Sequence, residues 1–177
     1  GTGKAKEIFS YDGRRDCAAA AACFQGQKAC TASCLGFGTC ARACPIGAIR
    51  IVDGLARVDP QLCSGCGVCV AACPTKVVAL VPSAAHWQVA CNSHREAEEK
   101  KRDCSVACTA CGECERLSAS WEFRISGNLA HASDQSARGG QGNWESIAAH
   151  CPTKAISRDG IVPEQLPPAE MKSKKRP

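Results

Sequence analysis

The chain has 177 residues, a formal charge of +5, only 5% aromatic residues and sixteen cysteines. That composition excludes a large side-chain core, so small modules must be held together by something else. Nor does the charge argue for a nucleic-acid partner. The formal charge counts every cysteine as neutral, and any that ligate as thiolates would offset it.

Residues 1–29 open as a polar approach segment anchored by Ile8, Phe9 and Tyr11. An alanine-rich run from Cys17 to Lys28 then predicts one short helix closing near Gly26, because alanine is the best helix former. The segment 30–82 carries Cys30, Cys34, Cys40 and Cys44-Pro45, then Cys63-x2-Cys66-x2-Cys69-x3-Cys73-Pro74. The second run is the bacterial ferredoxin spacing for [4Fe–4S] clusters, in which three close cysteines bind one cluster and the fourth reaches across to its neighbour. Zinc knuckles or secreted disulfides explain it poorly, since a third close cysteine and the trailing Cys-Pro would be left over.

Sliding that motif back along the chain until Cys63 falls on Cys34 also lays Cys69 on Cys40 and Cys73-Pro74 on Cys44-Pro45. Only Cys66 misses, falling on Phe37, and Cys30 is the expected substitute. Between the two copies, Ile49–Val52, Asp53-Gly54 and Leu55–Val58 predict a β-hairpin with a type I′ turn. Val77–Val81 reads as a returning strand.

A second, longer repeat keeps one constant offset, pairing Cys17 with Cys91, Cys30 with Cys104, Cys34 with Cys108, Phe37 with Cys111 and Cys40 with Cys114. In this copy Cys44 becomes Ser118, and the polar, glycine-rich stretch 134–147 reads as a loop lacking the Cys63–Cys69 equivalents. Cys151-Pro-Thr-Lys still repeats Cys73-Pro-Thr-Lys. The expected fold is therefore α+β: tandem two-cluster ferredoxin-like units, the one at 83–158 partly degenerate with one cluster, and an extended tail at 159–177.

Three [4Fe–4S] clusters follow. The first is expected on Cys30, Cys34, Cys40 and Cys73, the second on Cys44, Cys63, Cys66 and Cys69, and the third on Cys108, Cys111, Cys114 and Cys151. Cys17, Cys23, Cys91 and Cys104 remain, either as a fourth cluster or as buried thiols. His86, His94, His131 and His150 have no ligand spacing, the tryptophans read as packing residues, and no nucleotide-binding or hydrolytic motif is visible. The chain has no evident substrate site of its own. With no run of eighteen apolar residues and no signal peptide, it is expected to lack a membrane span and to sit in a reducing cytoplasm.

The stretches Asp16-Cys17-Ala-Ala, Gly26-Gln-Lys-Ala-Cys30, Cys34-Leu-Gly-Phe-Gly-Thr-Cys40, Cys44-Pro-Ile-Gly-Ala-Ile49 and Asp53-Gly-Leu-Ala resemble the ferredoxin-like iron–sulfur B subunit of the Rnf ion-translocating ferredoxin:NAD oxidoreductase complex. The likeness continues through Cys63–Pro82, Cys91-Asn-Ser-His and Cys104-Ser-Val-Ala-Cys108, and covers roughly residues 7–156. The resemblance implies an electron-transfer subunit that takes single electrons from reduced ferredoxin and passes them to other subunits. It implies a place on the cytoplasmic face of the inner membrane. The B subunit of that family opens with a membrane anchor and an extra cluster-binding segment, and neither is seen in these residues. The alternative is a free-standing polyferredoxin or a subunit of another soluble oxidoreductase.

Overall fold

Asp16 starts the first helix. Its carboxylate accepts hydrogen bonds from the backbone amides of Ala18 and Ala19 at 2.9 and 3.2 Å, capping α1 (Cys17–Ala22). These two amides, with Thr39 and Arg42, also hold the Asp16 carboxyl below its usual range. The computed structural model describes residues 4–133 and 142–158. The helix is shorter than its alanine run predicts, because Phe24, Gln25 and Gly26 all take positive φ (51°, 64° and 100°) and turn the chain away at Cys23. At Gly26 a Cβ would lie 2.5 Å from Leu35 Cδ2, so the turn and the buried Leu35 determine one another.

Next come α2 (Thr39–Ala43), the hairpin β1 (Ile49–Val52) and β2 (Leu55–Val58), and α3 (Val68–Ala71). Asp53 and Gly54 take φ of 50° and 70°, both positive as the predicted type I′ turn requires, and Val52 pairs with Leu55. Helices α2 and α3 pack together. Each begins after a left-handed glycine, Gly38 or Gly67.

The later elements are β3 (Trp87–Val89), α4 (Ala97–Asp103), α5 (Glu113–Arg116), β4 (Phe123–Ser126), β5 (Leu129–Ala132), α6 (Trp144–His150) and β6 (Ile156–Arg158). The hairpin β4–β5 repeats β1–β2 strand for strand at the offset of the paired cysteines, Phe123 standing for Ile49 and Leu129 for Leu55. It turns on Gly127 and Asn128 with φ of 54° and 60°. Strand β3 pairs antiparallel with β6, from Trp87–Arg158 to Val89–Ile156.

Two expectations are corrected. Val77–Val81 forms no strand. By the repeat, its middle residues would have to pair with Gly13-Arg14-Arg15, which lack the β-branched and aromatic side chains that Trp87-Gln-Val89 partly supplies to β6. The 134–147 loop is also too long: 134–141 lie outside the described residues, but α6 already starts at Trp144. Trp144 and Ile147, one helical turn apart, place one buried face on the core (6% and 0% exposed). The expected 159–177 tail lies outside the described residues.

The larger core belongs to this second half: Phe123, Leu129, Ala130, Trp144, Ile147, Ala155 and Ile156 pack around Cys108 and Cys114. Phe123 meets Trp144 edge-on, ring centroids 5.4 Å apart. Ser118 stands where the first half has Cys44. Its hydroxyl donates to Cys114 O at 2.8 Å and accepts from Phe123 N at 3.0 Å. Cys44 Sγ instead accepts from Ala48 N at 3.3 Å. Glu122, 1% exposed, has its carboxylate held by the amides of Ser120 and Asn143. In the first half the buried side chains are few: Cys17, Ala20 and Leu35 form one cluster, beside Cys40, Ala48, Ile49 and Leu55.

Candidate iron–sulfur sites

A cavity of about 130 Å³ opens between α2, the hairpin and the Cys73-Pro74 turn, and Cys17, Cys34, Cys40 and Cys73 all line it. Cys17 lines it where spacing led to the expectation of Cys30, and long-range bonds put it there. Thr39 Oγ1 accepts from Cys17 N at 2.8 Å and donates to Asp16 at 3.0 Å, and Arg42 joins Asp16 at 2.9 Å. These bonds pin the first residue of α1 to the first turn of α2, which carries Cys40. Burial first, then the neighbouring thiols of Cys34, Cys17 and Cys73, push Cys40 up to about 11. Thiols so crowded resist ionising in the free protein, and a cationic core among them reverses that preference.

Cys69 neighbours Cys63 and Cys44, and its thiol is raised mainly by burial, with a further contribution from those two. Cys63 and Cys66 are exposed. In the second half Cys108, Cys111, Cys114 and Cys151 line one pocket together, as their spacing predicts. Cys114 is pushed up to about 11 by burial and by Cys108, Cys111 and Cys151.

Hydrogen bonds to sulfur recur. Ala130 N donates to Cys108 Sγ at 3.4 Å, and the hydroxyls of Thr75 and Thr153 lie 3.6 and 3.8 Å from Cys73 and Cys151. In each Cys-Pro-Thr turn a threonine thus faces the sulfur two positions before it. Donors of this kind lower the charge density of a ligating thiolate. Among the described residues no three His, Cys, Asp or Glu side chains are placed to hold a single metal ion. The thiols stand around spaces, which suits a cube of four irons and four sulfides better than one zinc.

The expected remainder set does not assemble. Cys17 lines the first cavity, Cys23 is exposed beyond α1, and Cys91 and Cys104 neighbour Cys30. Sequence reasoning did not place Cys17 at this cavity. Asp16 directly before a helical run was the available signal, since an N-cap fixes where the helix begins and so where Cys17 points. The histidines bind elsewhere: His94 Nδ1 meets Gly127 O at 2.6 Å and His150 Nδ1 meets Ser146 O at 2.7 Å.

Residues 56–78 match the 4Fe-4S binding domain family, a range that includes Cys63, Cys66, Cys69 and Cys73. The chain is similar to the B subunits of ion-translocating ferredoxin:NAD oxidoreductase complexes. It is 40% identical over 154 residues to the B subunit of the proton-translocating ferredoxin:NAD(+) oxidoreductase complex of Clostridium ljungdahlii, covering 86% of this chain and 54% of that protein. The B subunit of an ion-translocating oxidoreductase complex from Methanosarcina acetivorans is 35% identical over 150 residues, 84% of this chain and 55% of its own. Its counterpart in the Na(+)-translocating ferredoxin:NAD(+) oxidoreductase complex of Acetobacterium woodii is 36% identical over 99 residues, 55% of this chain and 30% of its own. The chain thus spans about half the length of the first two relatives. No helix among its described residues is long and apolar enough to cross a membrane.

Proposed function

We propose that this chain is an electron-transfer subunit that relays single electrons through [4Fe–4S] clusters within an Rnf-type oxidoreductase complex, with reduced ferredoxin as donor. The observation that carries the reading is the set of four cysteines around one cavity in each half, joined by a run that matches a known [4Fe–4S] domain. The first cluster is assigned to Cys17, Cys34, Cys40 and Cys73. The second takes Cys44, Cys63, Cys66 and Cys69, and the third Cys108, Cys111, Cys114 and Cys151. The two hairpins, in the same register and at the same offset as the paired cysteines, support a duplicated ferredoxin-like unit.

Bound there, a cluster accepts and returns one electron; the protein supplies ligands, burial and hydrogen bonds to sulfur. Cys63 and Cys66 are exposed, and so are Leu62 (47%) and Val68 (42%) on the same loop and helix. An apolar surface beside an exposed site supports exchange with a docking protein at the second cluster.

The test is iron and acid-labile sulfide on anaerobically purified chain, followed by rapid mixing with reduced ferredoxin. Bleaching of the visible absorption by ferredoxin supports the reading. A coloured protein that ferredoxin does not reduce fits the polyferredoxin of another soluble system, and a colourless zinc protein overturns electron transfer altogether.

A further inference from the structure

Three cysteines outside these sets converge where the two halves of the chain meet. The backbone of Lys6 joins both: its carbonyl accepts from Ala29 N at 2.8 Å and its amide donates to Asp103 O at 2.9 Å. The next residues are Cys30 and Cys104, and Cys104 also bridges to Ala5. Arg95 ties the same two segments with its guanidinium, bonding Asp103 at 2.5 Å and reaching Ala29 O at 3.5 Å. Cys91 completes the group, close enough to Cys30 that it and Cys104 both add to the rise that burial imposes on the Cys30 thiol.

The repeat explains why Cys91 is spare. Its counterpart Cys17 serves the first cavity, where position 37 is phenylalanine. In the second half the equivalent of Phe37 is Cys111, which supplies the fourth thiol and releases Cys91. Cys91 therefore packs against the core holding Cys108 and Cys114 and also neighbours Cys30.

A second observation points into the same place. Ser93 is 3% exposed, and its hydroxyl, beside Cys30, makes no well-formed hydrogen bond. A buried hydroxyl whose one polar neighbour is a thiol is weakly satisfied, and a stronger partner in the space it faces would be favoured. The segment is otherwise firmly held: buried Lys100 donates to Ser93 O at 3.5 Å and to Asn128 O, and Asn128 Nδ2 reaches His94 O at 3.4 Å.

We propose that Cys30, Cys91 and Cys104 bind a further iron–sulfur cluster between the two halves, with the Ser93 oxygen on its fourth iron. It rests on the electron-transfer reading and adds a station joining the first-half clusters to the third. A single zinc is the wrong occupant, since no such group among the described residues is placed to hold one ion. On binding, the three thiols and the hydroxyl release their protons to solvent.

The test is iron content and EPR of the full chain, purified anaerobically, for wild type and for Cys30→Ala, Cys91→Ala, Cys104→Ala and Cys23→Ala. Four clusters give about 16 iron atoms per chain and three about 12. The expected result is about 16 for wild type and Cys23→Ala and about 12 for each of the other three. Ser93→Cys is the folding-safe companion: it keeps the iron and changes the EPR spectrum of one cluster. The inference is overturned by about 12 iron atoms in wild type with no loss in Cys30→Ala, by a disulfide between two of the three cysteines, or by an unchanged Ser93→Cys spectrum. Any of these leaves the electron-transfer reading standing, whereas a chain without iron removes both.

Discussion

Replacing Thr75 by valine removes a hydroxyl and keeps the side-chain shape, so it isolates one hydrogen bond to one ligand. In the cluster-bound protein Cys73 is a thiolate and can only accept, which makes Thr75 the donor across the 3.6 Å between them. A reduced cluster carries one more negative charge and accepts that bond more strongly. Losing the bond therefore destabilises the reduced state and lowers the potential. A hydrogen bond of ordinary geometry contributes about 0.5–1.5 kcal/mol net, and the length here argues for the lower half, about 0.5–1 kcal/mol. The potential responds only to the difference in that bond between the two oxidation states, so with 59 mV per tenfold for one electron the shift is at most about 20–45 mV to more negative potential. Thr153→Val should do the same at Cys151, somewhat more weakly because its separation is 3.8 Å. An EPR-monitored redox titration reads both. Each variant should move one cluster only, and Thr→Ser should restore it. A positive shift, or the same cluster moving in both variants, would refute the reasoning and the separate assignment of Cys73 and Cys151.

Cys17→Ala should lose about four iron atoms per chain, measured against sulfide and protein, because its thiol lines the first cavity. Phe123→Ala should cost about 3–5 kcal/mol by denaturant unfolding, since Phe123 is 0% exposed and sits against Trp144. Gly36→Ala should destabilise the first half and speed its cluster loss on dilution into chelator: at φ +80° its Cβ would stand 2.5 Å from Gly54 O, which is backbone and cannot swing aside. Asp16 and Asp103 have carboxyls held below their usual 3.8, Asp16 chiefly by the Ala19 amide and Asp103 chiefly by Arg102. Their contribution is complete above that value and disappears as pH falls through the lowered one. Thermal midpoints of the cluster-free chain should thus drop below about pH 4 and stay level just above it, with a smaller drop in Asp103→Asn.

Where backbone conformation follows from residue chemistry, the sequence was a good guide. Asp53-Gly54 announced a left-handed turn, and the second hairpin stands at the offset from the first that the repeat implied. Cysteine spacing located the four thiols around the second-half pocket. It did not anticipate Cys17 at the first cavity because spacing measures distance along the chain, while Cys17 and Cys30 are positioned by long-range bonds. Thr39 draws Cys17 in from a separate helix, and Lys6 draws Cys30 away. Val77–Val81 misled for a related reason: a strand needs a partner, and alternation or apolar content says nothing of whether one exists. The start of α6 was hidden because Trp144 and Ile147 follow directly on glycine-rich residues.

The helices α2 and α3 have five and four residues. Segments so short have no stability of their own in water. Each carries one cysteine inside it and runs into another at or just past its end, Cys40 then Cys44 and Cys69 then Cys73, and the two members of each pair are assigned to different clusters in the proposed scheme. Under the proposed assignment each helix is held by two clusters, so loading one cluster of the first half should favour loading the other. The second half, with Phe123, Trp144 and Ile147 packed beneath its single site, can form a core before any iron arrives. Maturation of this protein would then have a direction: the apolar half provides the template, and the cysteine-rich half closes on it last.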